Sequence, residues 1–337
     1  MTWSGEDKPT FVYVTYIAAP PEKVWQALTE PDLTEKYWFG FRVRANGKAG
    51  ERMTARDPAG EEVHCDIILV SEPPRHLVYA WRPLYDEFKH ERPSRVTIDI
   101  TPMEGQVRLT VTHDDFDEDS AVFEKITVGW PSVLSSLKSY LETGRALPIP
   151  VWNAPGGEGG GRLTDATRFK PKTVYVIYIA ATPERVWQAL TSSEFTARYF
   201  FGRTIEIEPR AGGSFVMRMP DGCVDVKGEV VEWSPLRRLA VTWTIDWNAD
   251  MRQLPPCLVS YDIEPAGETV KLTLTEAYSW DVPEALLSGG RSGWPAILSS
   301  LKSVLETEKP LAIKMEPPKD MIEALRQAVA TKPWLSR

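Results

Sequence analysis

The sequence predicts an α+β protein in which one domain, about 150 residues long, occurs twice in tandem. Residues 11–29 and 173–191 are identical at 15 of 19 positions, at an offset of 162. Residues 129–149 and 293–313 are identical at 14 of 21 positions. Each copy also repeats one order of elements: a strand, two short helices, about six strands and one long helix. A run of antiparallel strands closed by a single helix favours a sheet that curls around that helix.

Each copy opens with a strand that is followed by two short helices. Residues 11–17 are rich in β-branched and aromatic types, which favour a strand. Pro21 and Glu22 then suit a first helical turn, where proline is tolerated and a carboxylate meets the positive end of the helix dipole. In the second copy Thr182 stands at the N-cap position. A second short helix is predicted over residues 31–38.

Strands bounded by turn residues fill the middle of each copy, and the longest helix ends it. In the second copy the predicted strands are 204–208, 213–219, 224–233, 238–246, 257–264 and 269–276. An apolar stripe at helical spacing predicts the long helix of the first copy: Val133, Leu134, Leu137, Tyr140 and Leu141. The second copy repeats this stripe with Ile297, Leu298, Leu301, Val304 and Leu305.

These patterns divide the chain into two domains, a linker and a tail. We place the first domain at 8–147 and the second at 171–314. The segment 148–170 between them is rich in proline and glycine, as expected of a linker. In the tail, 315–337, apolar residues at helical spacing predict a short amphipathic helix that packs on the second domain or between the domains: Met321, Ile322, Leu325 and Val329.

Charge and composition narrow the expected partners. The net charge of −8 disfavours nucleic acid as a partner, because an acidic surface repels phosphates. No stretch approaches the roughly 18 apolar residues of a membrane span. Cys65, Cys223 and Cys257 form no CxxC pair, and no metal or cofactor motif appears. We therefore expect a cytoplasmic protein with three free thiols, no cofactor and no metal; its oligomeric state stays open.

Several residues that recur in both copies carry a family resemblance. In the first copy they are Ile17, Ala19, Pro21, Glu22, Val24, Trp25, Trp81, Gly129 and Trp130. In the second they are Ile179, Ala181, Pro183, Glu184, Val186, Trp187, Trp243, Gly293 and Trp294. Each copy resembles the SRPBCC, or START-like, superfamily of helix-grip domains. Within it, the chain is most similar to the activator of heat shock protein 90 ATPase C-terminal-like family.

The resemblance implies two helix-grip domains, each with a curved sheet of six or seven strands around a long C-terminal helix. It also implies a cavity between sheet and helix, and our first hypothesis is that this cavity binds a small hydrophobic or aromatic molecule without catalysis. In the first domain the expected cavity residues are Tyr37, Trp38, Phe39, His64, Trp81, Trp130, Val133 and Leu137. In the second they are Tyr199, Phe200, Phe201, Met217, Trp243, Tyr261, Trp294, Ile297 and Leu301. The alternative is that these aromatic residues simply fill the core.

Two other functions stay open. One is a co-chaperone-like interaction module with a chaperone as its partner and a role in the stress response. The other is a cyclase or hydrolase in the first domain, for which His64 and Asp66 are the weak catalytic candidates. On a strand these two side chains share a face and Cys65 points away. All four histidines, and the acidic run 114–119, lie in the first copy. We expect that run to be a solvated loop and the first domain to be chemically distinct.

Overall fold

The computed structural model describes residues 9–148, 169–314 and 319–335. The chain divides into two compact units between residues 152 and 153. Apart from residues at its two ends, the predicted linker lies outside the described residues.

The first domain consists of a seven-stranded antiparallel sheet and three helices. Its elements are β1 (Phe11–Ile17), α1 (Pro21–Thr29), α2 (Pro31–Tyr37), β2 (Arg42–Arg44), β3 (Arg52–Arg56), β4 (Glu62–Glu72), β5 (His76–Trp81), β6 (Ser94–Met103), β7 (Gln106–Asp114) and α3 (Ala121–Thr143). The strand order across the sheet is β1-β7-β6-β5-β4-β3-β2. Neighbouring strands in the sheet are consecutive in the sequence, except that β1 pairs with β7. The two short helices carry the chain from β1 to the opposite edge of the sheet, where β2 lies.

The second domain repeats this architecture element by element and adds a tail helix. Its elements are β8 (Lys170–Ile179), α4 (Pro183–Thr191), α5 (Ser193–Tyr199), β9 (Thr204–Ile207), β10 (Ser214–Arg218), β11 (Val224–Ser234), β12 (Arg238–Ile245), β13 (Cys257–Ala266), β14 (Thr269–Tyr278), α6 (Glu284–Thr307) and the tail helix α7 (Lys319–Thr331). The sheet order, β8-β14-β13-β12-β11-β10-β9, is the same. The predicted fold class, two tandem α+β domains of helix-grip order, is confirmed.

A buried ion pair ties the long helix to the first strand in both domains. Lys138 on α3 donates to the Tyr16 carbonyl oxygen at 2.7 Å and to Glu142 at 2.5 Å. The two charged side chains are only 1% and 2% exposed. Lys302 and Glu306 repeat the pair on α6. Each charge has a partner at hydrogen-bond distance, so removing one partner would leave an uncompensated buried charge.

The tail helix α7 packs on the second domain through its apolar face. Met321 and Leu325 are buried in a cluster with Met251, which belongs to a short 3₁₀ helix between β12 and β13. Gly289 on α6 makes room for this contact, because a Cβ there would lie 2.5 Å from the sulfur of Met321. Ile322, on the other face of α7, is 41% exposed.

Candidate functional site

The first domain contains a cavity of about 350 Å³ between the sheet and α3. Tyr85, Glu87 and Lys125 are wall residues with exposed side chains, so the mouth lies between the β5–β6 loop and the first turns of α3. The rest of the wall is mostly apolar and aromatic: Trp38, Phe39, Phe41, Val43, Met53, Ala55, Trp81, Phe88, Val122, Ile126, Trp130 and Val133. A concave, largely apolar site of this size is typical of small-molecule pockets.

The corresponding space in the second domain is only about 10 Å³, which is too small for more than a water molecule. The offset of 162 puts Phe215 at the place of Met53 and Met217 at the place of Ala55. Both larger side chains are buried and border the remaining void, as does Tyr261 from β13. The second cavity is therefore filled by the domain's own side chains.

The polar groups of the first cavity are also missing from the second domain. Away from the mouth, three wall residues carry them: His64 and Asp66 on β4 and Tyr79 on β5. At the offset of 162 the second domain has Val226, Gly228 and Val241. The sheet register supports this alignment, since β3 pairs Met53 with Asp66 and Ala55 with His64, whereas β10 pairs Phe215 with Gly228 and Met217 with Val226. Open space and polar groups thus occur in the same copy.

Trp81 is the centre of an aromatic cluster that forms one side of the cavity. Its ring lies 5.1 Å from that of His64, 4.5 Å from that of His113 and 5.8 Å from that of Trp130, measured between centroids. Trp38 extends the cluster, 5.7 Å from Trp130. Tilted and edge-on contacts at these distances are the arrangements that aromatic pairs prefer. We infer that this side of the wall is rigid.

Indole N–H groups determine which ring nitrogen carries the proton in both histidines of the cluster. Trp81 donates from Nε1 to the imidazole of His64, whose Nδ1 is the nearer nitrogen and whose Nε2 lies at 3.4 Å, and Trp130 donates to Nδ1 of His113 at 3.1 Å. A ring nitrogen that accepts a hydrogen bond carries no proton, so each imidazole holds its proton on Nε2. Desolvation lowers the pKa of His64 to about 3 and the pKa of His113 well below its usual value. Both rings are neutral at physiological pH.

Asp66 is a carboxyl group on the cavity wall that is only 1% exposed. Its Oδ1 accepts the backbone N–H of Arg82 at 2.6 Å, and no described cation forms an ion pair with it. Desolvation raises the pKa of Asp66 to about 8, so the acid is protonated at neutral pH. In the second domain the buried Asp225 on β11 is different, because Arg203 forms an ion pair with it.

Polar contacts fasten the β5–β6 loop beside the mouth. Glu91 in this loop accepts the hydroxyl of Ser120, the N-cap of α3, at 2.5 Å. Arg92 binds Asp115 at 3.0 Å and Asp117 at 2.5 Å. In the acidic run that was expected to be a solvated loop, two carboxylates thus also form solvent-exposed ion pairs with this loop. Sequence reasoning could not see this contact, which joins segments more than 20 residues apart.

The structure brings together most, but not all, of the cavity residues predicted for the first domain. Trp38, Phe39, His64, Trp81, Trp130 and Val133 lie in the wall. Tyr37 and Leu137 lie outside it: the Tyr37 hydroxyl donates to the Ala27 carbonyl oxygen on α1, and Leu137 is fully buried in the core. Sequence reasoning missed Met53, Ala55 and Tyr79, although their alternating strand positions gave a usable signal. Ligand binding by any of these residues stays a prediction.

In the second domain the predicted residues form packed core instead of an open wall. Five of them surround the small void: Tyr199, Phe200, Met217, Trp243 and Tyr261. Four lie away from it in the packed domain: Phe201, Trp294, Ile297 and Leu301. In the second domain the aromatic residues therefore pack as core and line no open cavity.

A curved antiparallel sheet, a long C-terminal helix and a cavity between them define a helix-grip domain, here present in duplicate. The family model described as Activator of Hsp90 ATPase homolog 1-like protein matches residues 18–142 and again residues 180–306. The chain belongs to this family, with two family domains in tandem.

Several solved structures are similar to parts or most of this chain. A protein from Mesorhizobium loti is 27% identical over 40% of this chain and 97% of its own, with a TM-score of 0.35. The Aha1 dimer from Colwellia psychrerythraea is 22% identical over 41% of this chain and 99% of its own, with a TM-score of 0.35. DynU16, from the dynemicin biosynthetic locus, is 15% identical over 89% of this chain and 98% of its own, also with a TM-score of 0.35. No curated protein matches the sequence.

Within residues 9–148, 169–314 and 319–335, no three or more histidine, cysteine or acidic side chains are grouped to hold a metal ion. None of the helices in these ranges combines the length and the hydropathy that a bilayer span requires.

Proposed function

We propose that the first domain binds a small hydrophobic or aromatic molecule in its cavity and that the second domain has a structural role. The difference in volume between the two copies, about 350 Å³ against about 10 Å³, carries this proposal. Both copies have the same fold and strand order. The open space is therefore not a general consequence of wrapping a sheet around a helix.

The cost of a space that the protein's own side chains do not fill supports the same conclusion. Each unfilled volume deprives the surrounding side chains of packing contacts, at about 24 cal/mol per Å³ in core substitution series. The second copy avoids this cost with Phe215 and Met217, so a filled solution is available to this fold. A ligand that fills the first cavity supplies the missing contacts.

The test is a thermal-unfolding screen of the full chain with neutral aromatic and polycyclic compounds. A ligand that binds only the native state, at a hundredfold excess over its Kd, stabilises by about 2.7 kcal/mol. For a domain of this size that corresponds to a rise in Tm of roughly 5–10 °C. Mass spectrometry of the recovered ligand checks that it is chemically unchanged.

The second copy supplies the control variant. Ala55→Met together with Met53→Phe places the side chains of Met217 and Phe215 in the first cavity. We expect the double variant to stay folded and to lose the ligand-induced rise in Tm. A rise that persists in this variant would mean that the ligand binds elsewhere, and no rise with any compound would refute the proposal.

The family description favours a second candidate, in which the chain is an interaction module for a heat shock protein 90 chaperone. Titrating the full chain into a bacterial heat shock protein 90 ATPase assay tests this. A co-chaperone changes the turnover in a saturable manner, and the cavity-filled double variant shows whether that effect depends on the cavity. Unchanged turnover over the whole titration rejects the candidate.

A further inference from the structure

We propose that the first-domain cavity selects an uncharged aromatic molecule bearing a carbonyl-type oxygen, and that Asp66, assisted by His64, recognises this oxygen. The inference rests on the proposed function, because it names the chemistry of the ligand in the same cavity.

The first step is the state of Asp66. An ionised carboxylate is costly in an apolar wall unless a cation or several donors compensate it. The described structure gives this carboxyl group one backbone donor, the N–H of Arg82 to Oδ1, and no ion pair. Burial therefore favours the neutral acid, whose proton lies on Oδ2 when Oδ1 accepts from the backbone. A neutral acid is a hydrogen-bond donor.

The second step is the surroundings of this donor. His64 stands two residues away on the same face of β4, about 7 Å along the strand. Its Nδ1 already accepts from Trp81, so the imidazole presents a second N–H, on Nε2. Tyr79 of β5 is the other titratable group of the inner wall, and Tyr85, Glu87 and Lys125 lie at the mouth. Both wall groups on β4 are therefore uncharged donors, which suit an acceptor oxygen.

The third step is the comparison between the copies. Buried polar groups with a purely structural role should persist when the fold is duplicated. Here Gly228 and Val226 replace Asp66 and His64 in the copy whose cavity is filled. The second domain keeps two buried carboxyl groups on its strands, and both have side-chain partners: Asp225 pairs with Arg203, and Glu276 accepts the hydroxyls of Thr173 and Tyr278. In the copy that has room for a ligand, the donor that the described residues give Asp66 is a backbone N–H alone.

The test compares fluorene with 9-fluorenone, two flat three-ring molecules of one shape that differ by a carbonyl oxygen. Kd values are measured by quenching of tryptophan fluorescence, since three tryptophans line the cavity. At pH 6 we expect the ketone to bind about tenfold more tightly, which corresponds to about 1.4 kcal/mol for one hydrogen bond. At pH 9.5, where Asp66 is ionised, this preference should fall to less than twofold.

Two variants separate this recognition from other effects of pH. Asp66→Asn keeps a donor at every pH, so the ketone preference should survive at pH 9.5. Asp66→Ala removes this donor and leaves that of His64, so we expect the ketone preference to fall to less than twofold at both pH values. Circular dichroism verifies that each variant is folded.

The outcomes distinguish the two proposals. Equal binding of fluorene and 9-fluorenone at pH 6 overturns the recognition of an acceptor and leaves the proposed function intact. A preference that still disappears at pH 9.5 in Asp66→Asn overturns the assignment to Asp66. No binding of either molecule to the wild type counts against both proposals.

Discussion

Replacing Asp66 by asparagine should stabilise the first domain increasingly as the pH rises. Burial raises the pKa of Asp66 from 3.8 to about 8, so the native state keeps a proton that the unfolded chain has lost. The stabilisation that this protonated carboxyl contributes is complete below pH 4 and is lost progressively as the pH rises to 8. Four pKa units at 1.36 kcal/mol each give an upper limit of about 5–6 kcal/mol. The amide of the variant does not ionise, so Asp66→Asn avoids this loss.

His64 gives the unfolding free energy the opposite dependence on pH, over an overlapping pH range. Desolvation lowers its pKa from 6.5 to about 3, so the native state excludes a proton that the unfolded chain binds. Its contribution is full above pH 6.5 and is lost as the pH falls toward 3. Between pH 4 and 6.5 the two slopes largely cancel. From pH 4 to 6.5 these two groups should therefore leave the stability of the wild type nearly unchanged. Between pH 6.5 and 8 the wild type should then lose stability.

Urea unfolding of the wild type and Asp66→Asn, followed by tryptophan fluorescence at pH 5, 6, 7 and 8, measures the effect. The difference in unfolding free energy between them should grow by roughly 1.4 kcal/mol per pH unit. The matched control is Asp225→Asn, which breaks the ion pair with Arg203 and should destabilise the second domain. A difference that is flat across this range would refute the neutral state of Asp66.

Three further predictions concern packing and the mouth. Lys138→Met should cost about 3–5 kcal/mol in unfolding free energy, because Glu142 loses its buried partner, and a second change, Glu142→Leu, should recover most of that loss. Gly289→Val should displace Met321 and release α7, which limited proteolysis would detect as faster cleavage of the tail. Arg92→Ala should loosen the β5–β6 loop and raise the ligand dissociation rate with a smaller change in Tm, measured by stopped-flow fluorescence.

The fold was largely predictable because its signals are local and occur twice. The alternation of residues 11–17, the proline at the start of three of the four short helices and the apolar stripe of the long helix each depend on neighbouring residues. The buried pair of Lys138 and Glu142 was not predicted, although its spacing of four residues is visible in the sequence. Only packing against β1 reveals that this helical face is buried.

The cavity was harder to predict because it depends on the total volume of side chains from separate elements. Aromatic residues such as Trp81 and Trp243 occur at equivalent positions in both copies, so they do not distinguish an open cavity from a filled one. The distinction comes from Ala55 and its counterpart Met217, small and large residues that meet the rest of the wall only after folding.

The sequence by itself determined the duplication, the α+β class, the order of the elements and the strand face shared by His64 and Asp66. These follow from backbone periodicity and from identity between the copies. The tertiary structure decided which copy keeps an open cavity, which charges are paired and which carboxyl group remains neutral. Those properties depend on burial and on distances between segments far apart in the chain, and a linear pattern does not contain them.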